Sequence, residues 1–551
     1  MSEDESTEIQ VLDPTGYPPE VKGKTPADRL DTLDGRTIYL IDSRFDDSIE
    51  LLRQIAAWFV EHLPTVTTRL VQLASTYAKD DPDLWERVRA DGDAAILGVG
   101  HCSTCAPAVS THAITLETAY GVPTVAVHTE TFERVVKSVT RMAGLPQAPL
   151  VFVPQPVMGK SARELRAYVD GADPVTGEPV MKEIVEALTR ALPVRDAGIP
   201  APRISEKRFV PPTTRARLHE LFLDRDWTDK LPIVLPTLER VEEMLAATSR
   251  GRDEIVGRMQ PTENRGAWSY TVEKVAVNAV MAGARPEYFP VILALAASGR
   301  SARGSTSSSG AAMVVVNGPI RDEIGMNAGI GALGPYNHAN ATIGRAYGLL
   351  SQNLQGGSVP GETFMGSLGN NFTYNSITFA ENEERSPWEP LHEQYGFAAS
   401  DSTVSVFFGN RSATFSLGLR ETYWREHVQD MLRGTDVVAA PTLLLDPIVA
   451  RQFVERGGFA AKADLIAWLH ETATMPAGRY WDHQLIQNYV YPRATFGEQP
   501  MAAGLHAAPD ELIPMFPLES INVVVVGGET NGYWQIMGAK RTATVSIDEW
   551  R

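Results

Sequence analysis

"AAILGVGHCSTCAPAVSTHAITLETAYGVPTVAVH" (Ala94–His128) decides the fold class. Ala94–Gly100 is a short, wholly apolar run, which reads as a strand buried on both faces. Pro107–Tyr120 has the length and composition of a helix, and Val122–His128 returns to a β-branched run. Strand, helix and strand in so short a stretch make a βαβ unit. The alternation continues outward on both sides. "TIYLID" (Thr37–Asp42) reads as a strand, "SIELLRQIAAWFVEHL" (Ser48–Leu63) as an amphipathic helix and "TRLVQLA" as the next strand. "DPDLWERVRA" (Asp81–Ala90) has an Asp start with Pro in the first turn, the mark of a helix N-terminus. Phe132–Ala143 reads as a helix, "PLVFVP" (Pro149–Pro154) as a strand and Val180–Leu192 as a last helix. The expectation is an α/β chain whose N-terminal part is a doubly wound parallel sheet, Rossmann- or flavodoxin-like. Ligands of such sheets gather at the carboxyl ends of the strands, and the two cysteines follow one of those ends.

At 551 residues the chain is expected to divide. Residues 1–35 read as an irregular lead-in, 36–193 as the α/β domain and the Pro- and charge-rich 194–216 as a linker. Residues 217–551 read as a larger α+β or α/β companion domain that forms the substrate pocket. Its clearest helix is Thr271–Gly283, with Val272, Val275, Ala276, Ala279 and Val280 on one face. Ala311–Gly318 and Ile521–Gly528 read as buried strands. With 50 basic residues against 68 acidic, the formal net charge is −18, which argues against nucleic-acid and anionic-membrane partners. No apolar run is long enough to span a bilayer. The acidic start "MSEDESTEIQ" does not read as a secretory signal, so the expected compartment is the cytoplasm. A homo-oligomer is expected of a large α/β protein.

Cys102 and Cys105 are the only cysteines. In a reducing compartment a lone CxxC reads as catalytic, redox-active or metal-binding rather than as a staple. Two thiolates fall short of a four-ligand zinc site, which distant residues such as His112 and His128 would have to complete. The other open readings are an active thiol pair and two packed small residues. A strand ends near Val99 and a helix begins near Pro107, and the positive end of that helix favours a thiolate. His101 adds positive charge when protonated, and Thr104 and Ser103 can donate hydrogen bonds. This arrangement suits a nucleophile at Cys102 with a resolving thiol at Cys105.

The stretch from Ile96 to Phe132 resembles the UGSC family, whose members carry selenocysteine or cysteine followed by Gly-Ser-Cys after a strand. A helix and a Gly-Ile/Val-Pro-Thr-Val strand come next. It is more distantly similar to the selenoprotein component B subunit of glycine, sarcosine and betaine reductase, and to the related proline reductase subunit. There the pattern is selenocysteine-Gly-Thr-Cys. "VFVPQPVMG" (Val151–Gly159) resembles the family's next strand and its Pro-rich exit. "WTDKLP" (Trp227–Pro232), "TVEKVAVNAVMAGARPEYFPV" and "ENEERSPWEPLHE" resemble the companion region of some UGSC-family chains. The resemblance places Cys102 at the selenocysteine position and Cys105 at the final cysteine, with Ser103 where the relatives keep Gly. It implies cleavage or reduction of a carbon–heteroatom bond.

Outside the cysteine loop, "GRSARGSTSSSGAA" (Gly299–Ala312) is a Gly/Ser-rich loop before a strand, which reads either as a flexible surface loop or as an anion cradle built from Arg300, Arg303 and hydroxyls such as Ser305. Asn337, His338 and Asn340 precede a helix and read either as caps or as substrate contacts. Glu381, with Glu383 and His392 nearby, reads as a solvated charge run, or as an acid–base or metal group. The expected protein is a cysteine-dependent enzyme acting on a small molecule. Cys102, Cys105, His101 and Thr104 are its catalytic groups, and Arg300, Ser305, Asn337, His338, Asn340 and Glu381 bind substrate. No resident cofactor or metal is expected. A thioredoxin-like external thiol reductant, or a sulfur donor, completes the cycle. The alternatives are a persulfide-carrying sulfurtransferase and a non-enzymatic metal- or ligand-binding protein.

Overall fold

The computed structural model describes residues 7–192, 198, 208–259, 267–304, 306–334, 336–356, 366–438 and 440–551. Most of the expected linker and Ser305 therefore lie outside the described residues.

The N-terminal domain is a five-stranded, all-parallel sheet. Its strands are β2 (Thr37–Asp42), β3 (Thr67–Gln72), β4 (Ala94–Gly100), β5 (Thr124–Thr129) and β6 (Leu150–Val153), in spatial order β3-β2-β4-β5-β6. The first two strands of the sheet are exchanged relative to the chain, which is the flavodoxin-like order. Every residue of β4 and β5 is buried, as expected of inner strands covered on both faces. Helices α1 (Ser48–His62), α5 (Ala162–Val169) and α6 (Val180–Thr189) bury Leu51, Ile55, Phe59, Leu165 and Ile184 on one face. Helices α2 (Pro82–Asp91) and α3 (Cys105–Thr115) bury Leu84, Trp85, Ala108 and Val109 on the other, where α4 (Glu133–Met142) packs beside α3 through Val135 and Val136. The doubly wound expectation holds. The Asp81 carboxylate accepts from the Leu84 N–H at 3.2 Å, so the predicted start of α2 is capped as read.

The lead-in is not irregular. Strand β1 (Glu8–Leu12) pairs antiparallel with β7 (Phe209–Thr214), which falls inside the stretch read as linker. Residues 8–17 then lie on the second domain: Gly16 donates to Asn353 O at 3.1 Å and Tyr17 to Ser269 O at 2.8 Å. This segment also explains a second departure. Helix Val272–Met281 is buried on every side rather than on one face. Its polar residues are consumed by partners on the lead-in and beside it. Lys274 Nζ donates to Asp13 O at 2.6 Å, Asn278 Nδ2 to Pro14 O at 3.0 Å, and Glu273 pairs with Arg208 at 2.8 Å.

The second domain is larger. Its six-stranded mixed sheet runs in the order Thr378–Ala380, Ala311–Asn317, Thr403–Leu417, Tyr533–Ser546, Pro441–Leu445 and Asn522–Val525. One helical layer, including Val272–Met281, Phe289–Ala297 and His338–Asn353, covers one face. Another, including Trp424–Arg433, Pro447–Gly457 and Lys462–Thr472, packs with the other strands. Glu381, just beyond the first of these strands, and Lys462, at the start of a helix, form an ion pair at 3.0 Å with both side chains fully buried. The same carboxylate accepts from Asn317 Nδ2 at 2.6 Å and Leu391 N–H at 2.7 Å. No helix among the described residues is long and apolar enough to cross a membrane.

A buried ion pair is costly to form and costlier to break on one side. Lys462→Met strands a desolvated carboxylate at the junction of sheet and helix. We expect a loss of about 3–5 kcal/mol, read as a lower urea midpoint at unchanged slope.

Candidate active site

In the flavodoxin-like order, neighbouring strands β2 and β4 send the chain in opposite directions from their carboxyl ends, so a crevice opens between the two exits. The β4 exit enters it as Gly100–His101–Cys102. Glycine is required at position 100 because a Cβ there would lie 2.1 Å from His128 Nδ1 and 2.8 Å from Ala106 Cα. Helix α3 can therefore seat closely on β5. Ser103 is buried and is absent from the positive-φ positions, so the turn holds a serine without needing glycine's conformational freedom. Helix α3 begins at Cys105, two residues before Pro107. The proline occupies the first turn, where its missing N–H has no helical partner to lose.

Cys102 Sγ lies at the mouth of α3 and accepts the Cys105 backbone N–H at 2.9 Å. Thr104 Oγ1 lies 3.4 Å from the same sulfur and 2.9 Å from Tyr77 Oη, so two hydroxyls run in series into the thiol. Burial drives the Cys102 thiol upward. Hydrogen bonds from the Cys105 thiol, the Thr104 hydroxyl and the N–H groups of both residues outweigh it, and the group falls below the ordinary cysteine value. Cys105 moves the other way. Burial first, then the hydrogen bond to Cys102 and the charge on it, push this thiol well above its ordinary value. The two sulfurs are unbonded, and their surroundings move their pKa values in opposite directions.

His101 does not supply positive charge. Burial lowers its pKa, and its Nε2 lies 3.1 Å from Phe45 O, a group that can only accept, so Nε2 carries the proton of a neutral ring. The ring packs edge-on to Phe45 at 5.3 Å. His112 and His128, the histidines a zinc site would need, are committed elsewhere. His112 Nε2 is 2.8 Å from Tyr77 O, and His128 Nε2 is 3.1 Å from Ser110 Oγ, with burial pushing His128 down to about 3. Among the described residues no group of three His, Cys, Asp or Glu is placed to hold a metal ion.

The site is closed by the second domain. Beyond β2 the chain carries Arg44 and Asp46 at left-handed φ of 58° and 45°. Asp46 Oδ1 accepts from Asn488 Nδ2 at 2.6 Å and Gln484 Nε2 at 2.9 Å, and its N–H donates to Asn488 Oδ1 at 3.1 Å. This clasp seats helix Gln484–Tyr489 on the crevice. Tyr489 packs against the first-domain core around the cysteines, with its ring 5.8 Å from Phe45. Below it, Ser75 and Lys79 both bond to Glu498, at 3.2 and 2.8 Å. Tyr77 and Tyr489 were not anticipated. Tyr489 lies far along the chain from the cysteines and carries no motif. Tyr77 stands in a short turn beyond β3 whose only signal is its position at a strand exit.

A cleft of about 1060 Å³ runs from Thr104, Tyr77 and Tyr489 into the second domain and includes Arg300 in its wall. Arg300 thus shares a cavity with Thr104. The other expected substrate contacts lie elsewhere. The Asn337 side chain accepts from Asn340 N–H at 3.0 Å and caps helix His338–Asn353. Asn340 is buried and donates to Asn327 O and Ala332 O. His338 stands 5.8 Å from the Tyr288 ring. Glu381 is the buried partner of Lys462. All four are outside the lining of the cleft. Their polar clusters serve helix capping and core pairing. A separate depression of about 610 Å³ between α1, α5 and α6 is lined by Trp58, His62 and Lys182, and lies across the sheet from the thiols.

These features define a flavodoxin-like α/β domain with an asymmetric thiol pair at its switch point. Residues 10–190 match the model of the UGSC family. No curated protein and no solved structure matches the chain.

Thr104→Val removes the hydroxyl that supports the thiolate and breaks the link to Tyr77. The titration midpoint of Cys102, followed by ultraviolet thiolate absorbance against a Cys102→Ser blank, should rise by about one unit. In the unaltered protein it should lie below that of a free cysteine.

Proposed function

We propose that the protein is a thiol-dependent enzyme that reductively cleaves a carbon–heteroatom bond of a small molecule in the cleft between its domains. The observation that carries this reading is the hydrogen bonding at Cys102 Sγ, which accepts the Cys105 N–H at 2.9 Å and lies 3.4 Å from the Thr104 hydroxyl, and which sets the two thiols' pKa values moving in opposite directions. The Cys102 thiolate attacks the electrophilic carbon, forming a C–S bond as the C–X bond breaks and X leaves with its electron pair. Once Cys102 is a thioether its charge is gone, and two of the causes that hold Cys105 protonated disappear with it. Cys105 then ionises and attacks Sγ of Cys102. A disulfide forms, the carbon departs with the C–S electron pair and takes up a proton, and the net change is C–X to C–H at the expense of two thiols. That departure requires a carbon whose anion is stabilised, as beside a carbonyl. An external dithiol reductant of the thioredoxin kind restores the pair, which suits a reducing cytoplasm. The likeness of Cys102–Cys105 to the selenocysteine–cysteine motif of reductase subunits supports the same order of attack.

The Cys102→Ser variant should lose at least about a thousandfold in turnover. Cys105→Ser should keep the first step and accumulate a stoichiometric adduct on Cys102, seen by intact mass. An unmodified Cys105→Ser protein after incubation with a turned-over substrate overturns the scheme. A mass one sulfur atom heavier than the sequence in the protein as isolated favours sulfur transfer instead.

A further inference from the structure

The cleft is larger than a two- or three-carbon substrate needs, and its lining carries more basic than acidic side chains. Pockets for drug-sized ligands run to roughly 300–1,000 Å³, and this one, at about 1060 Å³, stands at the top of that range. Its walls are unequal. Tyr480, Trp481 and Tyr489 present aromatic surface from the segment that follows helix Lys462–Thr472, with Tyr489 against the core around the cysteines. The opposite wall is a face of the second-domain sheet. Phe408 and Lys540 are cross-strand partners on neighbouring antiparallel strands, and Val406 and Thr542 lie two residues further along the same face.

The charges on this lining contrast with those of the chain. The protein carries a formal −18, yet Lys79, Arg300, Arg493 and Lys540 line the cleft against two carboxylates, Glu498 and Glu519. Glu498 is already shared by Lys79 and Arg493, at 2.8 and 2.9 Å. Arg300 and Lys540 are exposed, and among the described residues neither side chain has a hydrogen-bond or ion-pair partner. Two unpaired cations in a cleft walled by apolar rings focus an attractive field for anions in an otherwise acidic molecule.

We infer that the substrate is a bulky organic acid. Its anionic group pairs with Arg300 and Lys540, its aromatic or branched apolar body lies along Phe408, Tyr480 and Trp481, and its electrophilic carbon reaches the thiol end at Thr104. The inference rests on the reading of Cys102 as the nucleophile and adds the substrate's size and charge.

Three alkylating probes separate the two claims. Each forms a Cys102 S–C bond as iodide leaves: iodoacetamide, small and neutral; a naphthyl iodoacetamide, aromatic and neutral; and its naphthalenesulfonate analogue, aromatic and anionic. With the labelled residue identified by peptide mass, the sulfonate should modify Cys102 about tenfold faster than iodoacetamide, with the neutral naphthyl reagent between them. The ratio of sulfonate to iodoacetamide rates should fall about tenfold in the Arg300→Glu/Lys540→Glu variant. In the unaltered protein it should also fall as ionic strength rises. A sulfonate no faster than iodoacetamide, or a ratio insensitive to both salt and charge reversal, overturns the inference and leaves the thiol mechanism standing. Labelling that misses Cys102 with all three reagents overturns the thiol reading itself.

Discussion

Everything at the site follows from one topological constraint, the reversal of strand order between β2 and β4. At that reversal the two neighbouring strands send their chains apart, and the space they leave is bounded by polar backbone at the carboxyl end of a buried sheet. One exit supplies the cysteines and the start of α3. The other supplies Asp46, which grips Asn488 and Gln484 of the second domain. The same crevice thus provides both the cysteine turn and the socket for its cover, and the two thiols are shielded from solvent.

Within that crevice the chemistry is set by short-range hydrogen bonding working against desolvation. A buried sulfur is a poor thiolate unless donors converge on it. The Cys105 N–H at the helix start and the Thr104 hydroxyl do so for Cys102. Cys105, a neighbour in the same apolar pocket, has its own sulfur directed back to Cys102 O at 3.7 Å. Chemically identical residues three positions apart are made unlike by which of them sits at the mouth of the helix.

The alternating strands and helices of residues 37–189 were legible because each carries its own local signal, with wholly apolar runs for β4 and β5 and a capped, Pro-initiated start for α2. The cysteine turn was legible for the same reason. What escaped was non-local. Strand β1 is five residues within an otherwise polar lead-in, too short to signal a strand by itself, and its partner β7 lies some two hundred residues away. Helix Val272–Met281 has an apolar stripe in sequence, yet its polar side is also buried because the lead-in covers it. Glu381, Asn337 and Asn340 have the composition of a binding site, but composition cannot separate a buried, self-satisfied polar cluster from one that awaits a ligand. Arg300 could be placed by sequence in a loop, while its arrival in the same cavity as Thr104 depends on how the two domains meet.

The lead-in has a further consequence, for the order in which the molecule assembles. After residues 8–17 have been laid on the second domain, the same segment turns back to the first: Lys24 N–H donates to Gly144 O at 2.8 Å, and Arg29 is buried against Glu117 at 2.9 Å. The chain's earliest strand has its partners at residues 209–214 and beyond, so during synthesis it must wait while the whole parallel sheet is made and packed. It then fastens like a strap across both domains. Cleavage of the chain near residue 20 would spare the fold that carries the cysteines and loosen the one that covers them.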